Sequence, residues 1–234
     1  MIPLRDINPV RSTPIVNYLL ILANIGAYLY MNSLPPWYET GYSLVPTRLF
    51  ADPLGEAFTI FTSMFMHANL AHIAGNLWFL WIFGDNVEDA MGHGRYLLFY
   101  LLGGVVAAAV QMIMTMGSPV PMVGASGAIA AVVGAYVLLY PRAPILILNP
   151  IPLLWLFWGI SLIVPAWFVA GEFFIVNALM GVQSLGAEGA SGGVAVFAHI
   201  GGFIAGLVAV SPLTRGREKS RHRTWEGWRP PARR

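Results

Sequence analysis

The sequence MVGASGAIAAVVGAYVLLY occupies residues 122–140 and predicts an apolar helix suited to a membrane. The first turn of this helix carries one hydroxyl group, Ser126, which lies between Gly124 and Gly127. The next polar side chain is that of Tyr136, almost three turns later. A polar group that stands alone in an apolar helix is a candidate functional residue, and Ser126 is therefore the first candidate in this chain.

Small residues recur every four positions after Ser126, and a second stretch, AHIGGFIAG at residues 198–206, has the same spacing. Stripes of small residues let helix backbones approach closely in a membrane. We therefore expect the two stretches to pack together, with Ser126 on one helix and His199 on the other, as a nucleophile and its base. The two stripes are Ser126, Ala130 and Gly134, and Ala198, Gly202 and Gly206.

The composition indicates a membrane protein that crosses the bilayer several times. Of the 234 residues, 57% are hydrophobic and 10% are charged, whereas soluble domains carry about 25% charged residues. At about 20 residues for each crossing, the chain has room for six transmembrane helices and their connections. The predicted fold is therefore an all-α bundle of six transmembrane helices. The absence of cysteine excludes disulfides and thiolate metal ligands.

The predicted boundaries divide the chain into an N-terminal segment, residues 1–13, one six-helix domain, residues 14–211, and a basic tail, residues 212–234. Residues 32–66 contain four prolines and several aromatic residues, and are predicted to form a long first outer loop at the membrane interface. The polar residues 84–95 are predicted to form a turn. The predicted helices are residues 14–31, 69–89, 96–116, 122–140, a segment within 153–182, and 194–210.

The distribution of positive charge predicts the orientation of the bundle. With six helices, both termini and the second and fourth connections share one side of the membrane, and of the 13 lysines and arginines only Arg48 lies on the other. This bias predicts that both termini are cytoplasmic. The first residues are too polar for a signal peptide, and a prokaryotic plasma membrane is the expected location. The basic tail is expected to anchor on lipid headgroups rather than to bind nucleic acid.

Four polar residues are expected at a similar depth near the outer face. His72 and Asn76 lie in the first two turns of the second helix and, at positions i and i+4, share one helix face. Ser126 begins the fourth helix, and His199 lies about five residues into the sixth. Because these three helices all run inward, the four side chains are predicted to lie in the outer third of the membrane.

This arrangement predicts acyl-transfer chemistry. Ser126 becomes a nucleophile when a base accepts its proton, and His199 is the candidate base. A Ser–His dyad is expected, because the acidic side chains of residues 85–89 lie at the opposite membrane face. His72, the amide of Asn76 and backbone N–H groups at the start of the fourth helix are the candidate donors to the oxyanion.

Three sequence motifs in this order resemble those of the rhomboid intramembrane serine proteases. They are HxxxxHxxxN at His67, His72 and Asn76, GASGA around Ser126, and AHIGGFxxG beginning at Ala198. The resemblance implies cleavage of transmembrane protein substrates without a metal or an organic cofactor. The residues that it implicates are Ser126 and His199 in catalysis, His72 and Asn76 in oxyanion stabilisation, and His67, Gly124, Gly127 and Gly202 in structure near the site.

The chain departs from the family pattern at two places. Many relatives carry an aromatic residue four positions after the serine, where it stacks on the catalytic histidine, and this chain has Ala130. A tryptophan–arginine pair often seen in the first loop is absent, and Phe58 and Phe61 occupy that region. The contacts of His199 and the route of substrate entry are therefore expected to differ in detail.

Other functions fit the sequence less well than the protease. A non-catalytic rhomboid-like scaffold or chaperone typically lacks the serine or the histidine, and both are present here. A transporter needs polar groups throughout the membrane, whereas the inner halves of the second, fourth and sixth helices are nearly all apolar. A metal site is disfavoured because His67 and His72 are about 140° apart around a helix and no carboxylate or thiol completes a ligand shell.

The expected partners are transmembrane substrates and membrane lipids, and no oligomer is required. The glycine-rich residues 183–193 are the candidate lid over the site, and the fifth helix is the candidate lateral gate for substrate entry.

Overall fold

The computed structural model describes residues 1–35, 37–185 and 195–216. Most of the predicted lid and most of the basic tail lie outside these ranges. Six long helices account for most of the described chain, as predicted. They are α1, Ile15–Ser33; α2, Leu70–Met91; α3, His93–Met114; α4, Ser126–Leu139; α5, Ala166–Leu185; and α6, Val196–Leu213. Of these, α1, α3, α5 and α6 are long and apolar enough to cross a membrane, and α4 is a shorter apolar helix. The predicted polytopic helical bundle is thus confirmed.

Helix α4 lies at the centre of the bundle and packs against α2, α3 and α6. Every residue from Gly127 to Tyr136 is buried, so this helix has no face directed to solvent or lipid along that length. A helix that is apolar on all sides requires such a position. The central stretch of the sequence is therefore also the central element of the fold.

The predicted close contact between α4 and α6 is present. A Cβ atom added to Gly202 would overlap the carbonyl oxygen of Gly127, and one added to Gly206 would overlap the carbonyl oxygen of Ala131. In the opposite direction, a Cβ atom on Gly134 would overlap the carbonyl oxygen of Phe203. The two backbones touch along three successive turns because the sequence places glycine at each contact.

Helix α4 begins at Ser126, the residue predicted to begin the fourth helix. The preceding residues 122–125 continue the apolar pattern of the sequence but are not helical. Met122 instead forms an isolated β-bridge with Leu44 of the first loop, with N···O distances of 3.1 and 2.7 Å. Gly124 has a φ of +126°, a conformation that L side chains rarely adopt. The chain therefore enters α4 through a short extended segment held by the first loop.

The polar segment predicted as a turn is mostly helical, because its acidic side chains have partners on other elements. Glu88 accepts hydrogen bonds from the backbone N–H groups of Val16 (2.9 Å) and Asn17 (2.7 Å), in the first turn of α1. It also contacts Nδ1 of His93 at 2.5 Å. A carboxylate at a helix N-terminus satisfies free N–H groups and is favoured by the helix dipole. Helix α2 therefore continues to Met91, and a single residue, Gly92, separates it from α3.

The first loop is folded into short helices. Four α-helical segments and one 3-10 turn follow one another between α1 and α2, at Trp37–Tyr42, Pro46–Ala51, Pro53–Glu56, Thr59–Thr62 and Ser63–Phe65. Arg48, the single basic residue of this loop, pairs with Glu56 at 2.5 Å. The loop exposes large apolar side chains, among them Trp37, Leu54, Phe58 and Phe61. Exposed apolar groups of this kind are what a loop at a membrane interface requires.

A small antiparallel sheet adds to the predicted helical bundle, and the sequence analysis did not anticipate it. Its strands are β1, Pro3–Asp6; β2, Pro144–Leu148; and β3, Ser161–Pro165, in the order β1-β2-β3. The two C-terminal strands are short apolar runs bounded by prolines, in the region where the prediction left the fifth helix undefined. The indole N–H of Trp78 on α2 donates to the carbonyl oxygen of Pro3 (2.5 Å), which attaches the sheet to the bundle.

Candidate active site

Ser126 and His199 both lie where α4 meets α6. Ser126 is the first residue of α4 and is half-buried, whereas His199 is in the first turns of α6 and is 9% exposed. Ser126 is next in sequence to Gly127, and His199 is next to Ala198. These two neighbours lie in contact across the helix pair, since a Cβ atom added to Gly127 would lie 3.7 Å from the Cβ atom of Ala198. The packing of small residues therefore places the serine and the histidine beside contacting residues, at the same end of both helices.

The imidazole of His199 has a hydrogen-bond partner that the sequence analysis did not predict. Its Nδ1 atom lies 2.6 Å from Oδ1 of Asn177, a buried residue of α5. The ring of Phe173, one turn earlier on α5, lies 5.9 Å from the imidazole centroid at an interplanar angle of 37°. The sequence places no acidic residue where it could orient His199, and the structure supplies a neutral amide instead. The available signal was a lone asparagine in an apolar helix, four residues after an aromatic residue.

The other ring nitrogen of His199 is available for chemistry. Nε2 is buried and has no hydrogen-bond partner among the residues that the structure describes. A buried polar atom without a partner is uncommon and costs stability, so it requires an explanation.

The residues predicted to stabilise the oxyanion come together beside the start of α4. Asn69 caps α2, and its Oδ1 atom accepts the backbone N–H of His72 at 2.8 Å. A Cβ atom on Gly124 would lie 2.8 Å from Nε2 of His72 and 3.6 Å from Nδ2 of Asn76. Nδ2 of Asn76 is also buried and without a partner within the described ranges. The two side chains of α2 thus face the segment that leads into Ser126.

His67 lies just before α2 and packs edge-on against His72, with ring centroids 5.2 Å apart. Burial, together with the charge of His72, lowers the pKa of His67 from 6.5 to about 4. His67 is therefore neutral near pH 7, as a packed structural residue would be. The structural role predicted for it remains a prediction.

Two hydrogen bonds from outside the motifs hold the backbone around the site. The N–H of Gly124 donates to the carbonyl oxygen of Ser63 in the first loop at 2.8 Å. The N–H of Ala198 donates to Oε1 of Gln111 on α3 at 3.1 Å. The sequence analysis missed Gln111, a polar residue near the end of the third helix. One bond holds Gly124, two residues before the candidate nucleophile, and the other holds Ala198, which adjoins the candidate base.

A metal ion has no evident place in the described part of the chain. No three side chains from histidine, aspartate and glutamate come together there in a way that could hold one.

The fold and the site together define a class: an integral membrane protein whose helical bundle gathers a serine, histidines and an asparagine at one end of its central helix. A family model of the Rhomboid domain matches residues 54–216, and the chain belongs to the rhomboid family. The family includes intramembrane serine proteases. The matched range begins in the first loop and includes α2 to α6.

Individual proteins to which this chain is similar also carry rhomboid names. The chain is 34% identical to rhomboid protease GluP of Bacillus subtilis over 161 residues, which is 68% of this chain and 26% of the relative. It is 30% identical to the mitochondrial presenilin-associated rhomboid-like protein A of Danio rerio over 62% of this chain and 34% of that protein. The mitochondrial RHOMBOID-like protein 12 of Arabidopsis thaliana is 26% identical over 85% of this chain and 58% of its own length. The aligned chain thus spans between 26% and 58% of the length of these three relatives.

Proposed function

We propose that this protein is an intramembrane serine endopeptidase in which Ser126 is the nucleophile and His199 is the general base. The observation that carries the proposal is the state of the His199 imidazole. It is held through Nδ1, its Nε2 atom has no partner within the described residues, and it lies where α6 meets the start of α4. A serine with an oriented histidine is the arrangement used for nucleophilic catalysis on acyl groups.

The reaction follows from these positions. Oγ of Ser126 attacks the carbonyl carbon of the scissile peptide bond, and Nε2 of His199 takes the hydroxyl proton. The tetrahedral intermediate collapses when His199 passes this proton to the nitrogen of the departing amine. Water then attacks the acyl-enzyme ester, with His199 again acting first as base and then as acid, and Ser126 is restored.

The oxyanion requires donors that are already in place. Nδ2 of Asn76 is a buried donor without a partner in the described structure, and the imidazole of His72 lies beside the same glycine, Gly124. A donor held in a water-poor site stabilises negative charge more strongly than one in bulk water. We assign oxyanion stabilisation to His72 and Asn76, with the backbone N–H groups at the start of α4 as further donors.

The substrates in this proposal are the transmembrane segments of other proteins. The candidate nucleophile and base are on helices that are apolar along their length, so a scissile bond must enter a largely apolar bundle. Helix α5 is the proposed gate, since it exposes a row of apolar side chains to its surroundings, namely Ile175, Val176, Leu179 and Val182. The proposed location is a prokaryotic plasma membrane, with both termini cytoplasmic and the site open to the outer face.

Reconstitution into liposomes with a labelled model transmembrane substrate tests the proposal. We expect the wild-type protein to cut the substrate and to react with a fluorophosphonate probe, also in the presence of a metal chelator. We expect Ser126→Ala and His199→Ala to do neither, whereas Ser118→Ala, a serine in the connection before α4, retains both. A folded wild-type protein that neither cuts nor reacts would overturn the proposal in favour of the non-catalytic scaffold.

A further inference from the structure

Asn177 makes two hydrogen bonds through the two ends of its side-chain amide. Nδ2 donates to the backbone carbonyl oxygen of Phe173, four residues earlier in α5, at 2.8 Å. Oδ1 lies 2.6 Å from Nδ1 of His199 on α6. The side chain is 7% exposed, so it is confined between the two helices.

These two contacts determine which way the amide points. A backbone carbonyl oxygen only accepts hydrogen bonds, so the nitrogen end of the amide must face Phe173. The oxygen end then faces His199, and it can only accept. The proton in this contact must therefore belong to Nδ1 of the imidazole.

The tautomer of His199 follows from the orientation of the amide. A neutral imidazole carries one proton, and when that proton is on Nδ1 the lone pair is on Nε2. Nε2 is the ring nitrogen that is buried without a partner among the described residues. The nitrogen that must act as a base is thus the one that Asn177 leaves unprotonated.

The face of α5 that carries Asn177 also restricts the orientation of the His199 imidazole. Phe173 and Asn177 are four residues apart and share one helix face, so the hydrogen bond and the aromatic contact act on His199 together. Among the described residues, His72 on α2 is a titratable side chain whose charge acts on His199. Glu172, the acidic residue beside Phe173, is engaged by the amino group of Met1 at 2.7 Å.

We propose that Asn177 is a positioning residue of the reaction, which holds His199 with its proton on Nδ1 and its Nε2 atom free to accept the proton of Ser126. The inference rests on the proposed function. It replaces the expected dyad by a unit of three residues in which a neutral amide takes the orienting place of a carboxylate. A neutral acceptor fixes the tautomer and the ring without adding a negative charge to an apolar bundle.

Kinetics of two substitutions test the role. We expect Asn177→Ala to lower kcat about 10- to 100-fold with KM changed less than about twofold, because the acceptor acts on the chemical step and not on substrate binding. We expect Asn177→Asp to recover part of this loss, since it keeps an acceptor for Nδ1–H. Its negative charge stabilises the imidazolium, so the acid limb of the kcat/KM profile should move to higher pH.

A matched control separates positioning from stability. Asn24 on α1 is also buried, and its Nδ2 atom also donates to a carbonyl oxygen four residues earlier, that of Leu20, at 2.7 Å. Asn24→Ala removes the same kind of bond without touching His199, and we expect its kcat to stay within about twofold of wild type. All rates are normalised to the folded fraction.

A spectroscopic measurement is independent of proteolysis. In protein labelled with ¹⁵N-histidine, with His199 assigned from its loss in His199→Ala, we expect a protonated Nδ1 and an unprotonated Nε2 in wild type, and a change in this pattern in Asn177→Ala. A wild-type His199 with its proton on Nε2, or an Asn177→Ala variant with unchanged kcat and tautomer, overturns the inference. If wild type itself neither cuts nor reacts with the probe, the proposed function fails first, whatever the tautomer.

Discussion

Gly124 is the residue at which backbone conformation and side-chain space constrain the site most directly. Its φ of +126° is unfavourable for any other L residue, and a Cβ atom there would lie 2.8 Å from both Cε1 and Nε2 of His72. Glycine is therefore required at this position for two reasons: its backbone conformation makes the turn into α4, and its lack of a side chain leaves space for the imidazole of His72.

We predict that Gly124→Ala lowers the rate of substrate cleavage about 10-fold or more, because the methyl group displaces His72 and strains the turn before Ser126. The measurement is cleavage of a transmembrane substrate in liposomes. Gly75→Ala is the matched control, since a Cβ atom on this glycine of α2 would have no neighbour within 4 Å. Equal rates for the two variants would contradict a role for Gly124 in placing His72.

Ala130 and Phe173 account together for the departure from the family pattern. Ala130 is fully buried, and a Cβ atom on Gly202 would lie 3.3 Å from its methyl group, so the contact between α4 and α6 leaves no space for an aromatic ring there. The ring beside His199 comes from Phe173 on α5 instead. His199 therefore does contact an aromatic ring, but this ring belongs to a different helix from the one that carries it in many relatives.

At the scale of elements, the small sheet is joined to the bundle by a partly buried carboxyl group. The hydroxyl group of Tyr136 on α4 donates to Oδ2 of Asp6 at the end of β1, at 2.9 Å. Burial, and then the charge of Asp85 on α2, raise the pKa of Asp6 from 3.8 to about 7, and the hydrogen bond from Tyr136 only partly offsets this rise. The folded protein therefore holds a proton on Asp6 over a range in which the unfolded chain has lost it.

The sign of the resulting pH effect follows from linkage. Between about pH 4 and pH 7 the folded state binds more protons than the unfolded state, so the contribution of Asp6 to stability falls as pH rises through this range. We predict that Asp6→Asn, which keeps an acceptor for Tyr136 and cannot ionise, is more stable than wild type at pH 8 and loses this advantage towards pH 4.

Thermal unfolding in detergent at pH 5 and pH 8 measures this difference, with a Tm shift of about 2 to 4 °C expected for each kcal/mol. Asp52→Asn, an exposed aspartate of the first loop, is the control and should show no such dependence. A Tm difference between Asp6→Asn and wild type that is the same at both pH values would show that Asp6 does not titrate in this range.

At the scale of the whole molecule, the orientation in the membrane can be tested at the two ends of α3. Gly94 lies in the first turn of this helix and Gly117 lies after its end, and both are exposed with open space around a Cβ atom. The chain has no cysteine, so a single introduced thiol reports one position without background.

We predict that a membrane-impermeant maleimide labels Gly117→Cys in intact bacterial cells and labels Gly94→Cys only after permeabilisation. The physical reason is the excess of basic residues on the side that holds Gly94. The cysteine-free wild type is the blank. The reverse labelling pattern would overturn the proposed topology, and with it the opening of the site to the outer face.

The proposed gate, helix α5, also carries the residues that contact His199. Asn177 and Phe173 contact His199 from α5, the helix that the gating proposal requires to move. An outward movement of the whole helix would remove the acceptor from Nδ1 and the ring from the imidazole. Substrate entry and the positioning of His199 are therefore linked in this bundle, if α5 moves as one rigid element.

The sequence by itself determined the membrane class, the six helices and the set of polar residues that meet around the start of α4. These are consequences of local properties: apolar runs long enough to cross a bilayer, glycines spaced by four along two helices, and motif residues at fixed offsets. The close contact between α4 and α6 was predictable for the same reason, because each of the two helices carries small residues four positions apart.

Only the tertiary structure decided the partner of His199 and the presence of the sheet. The contact between His199 and Asn177 depends on how α5 is rotated about its axis and on where it packs against α6. The sequence of neither helix determines this packing by itself. The sheet pairs β1 with a strand more than a hundred residues later, and β1 is four residues long, too short for a periodic signal. The bridge between Met122 and Leu44 was also decided in three dimensions, because its two residues are far apart in the sequence and neither lies in a regular strand.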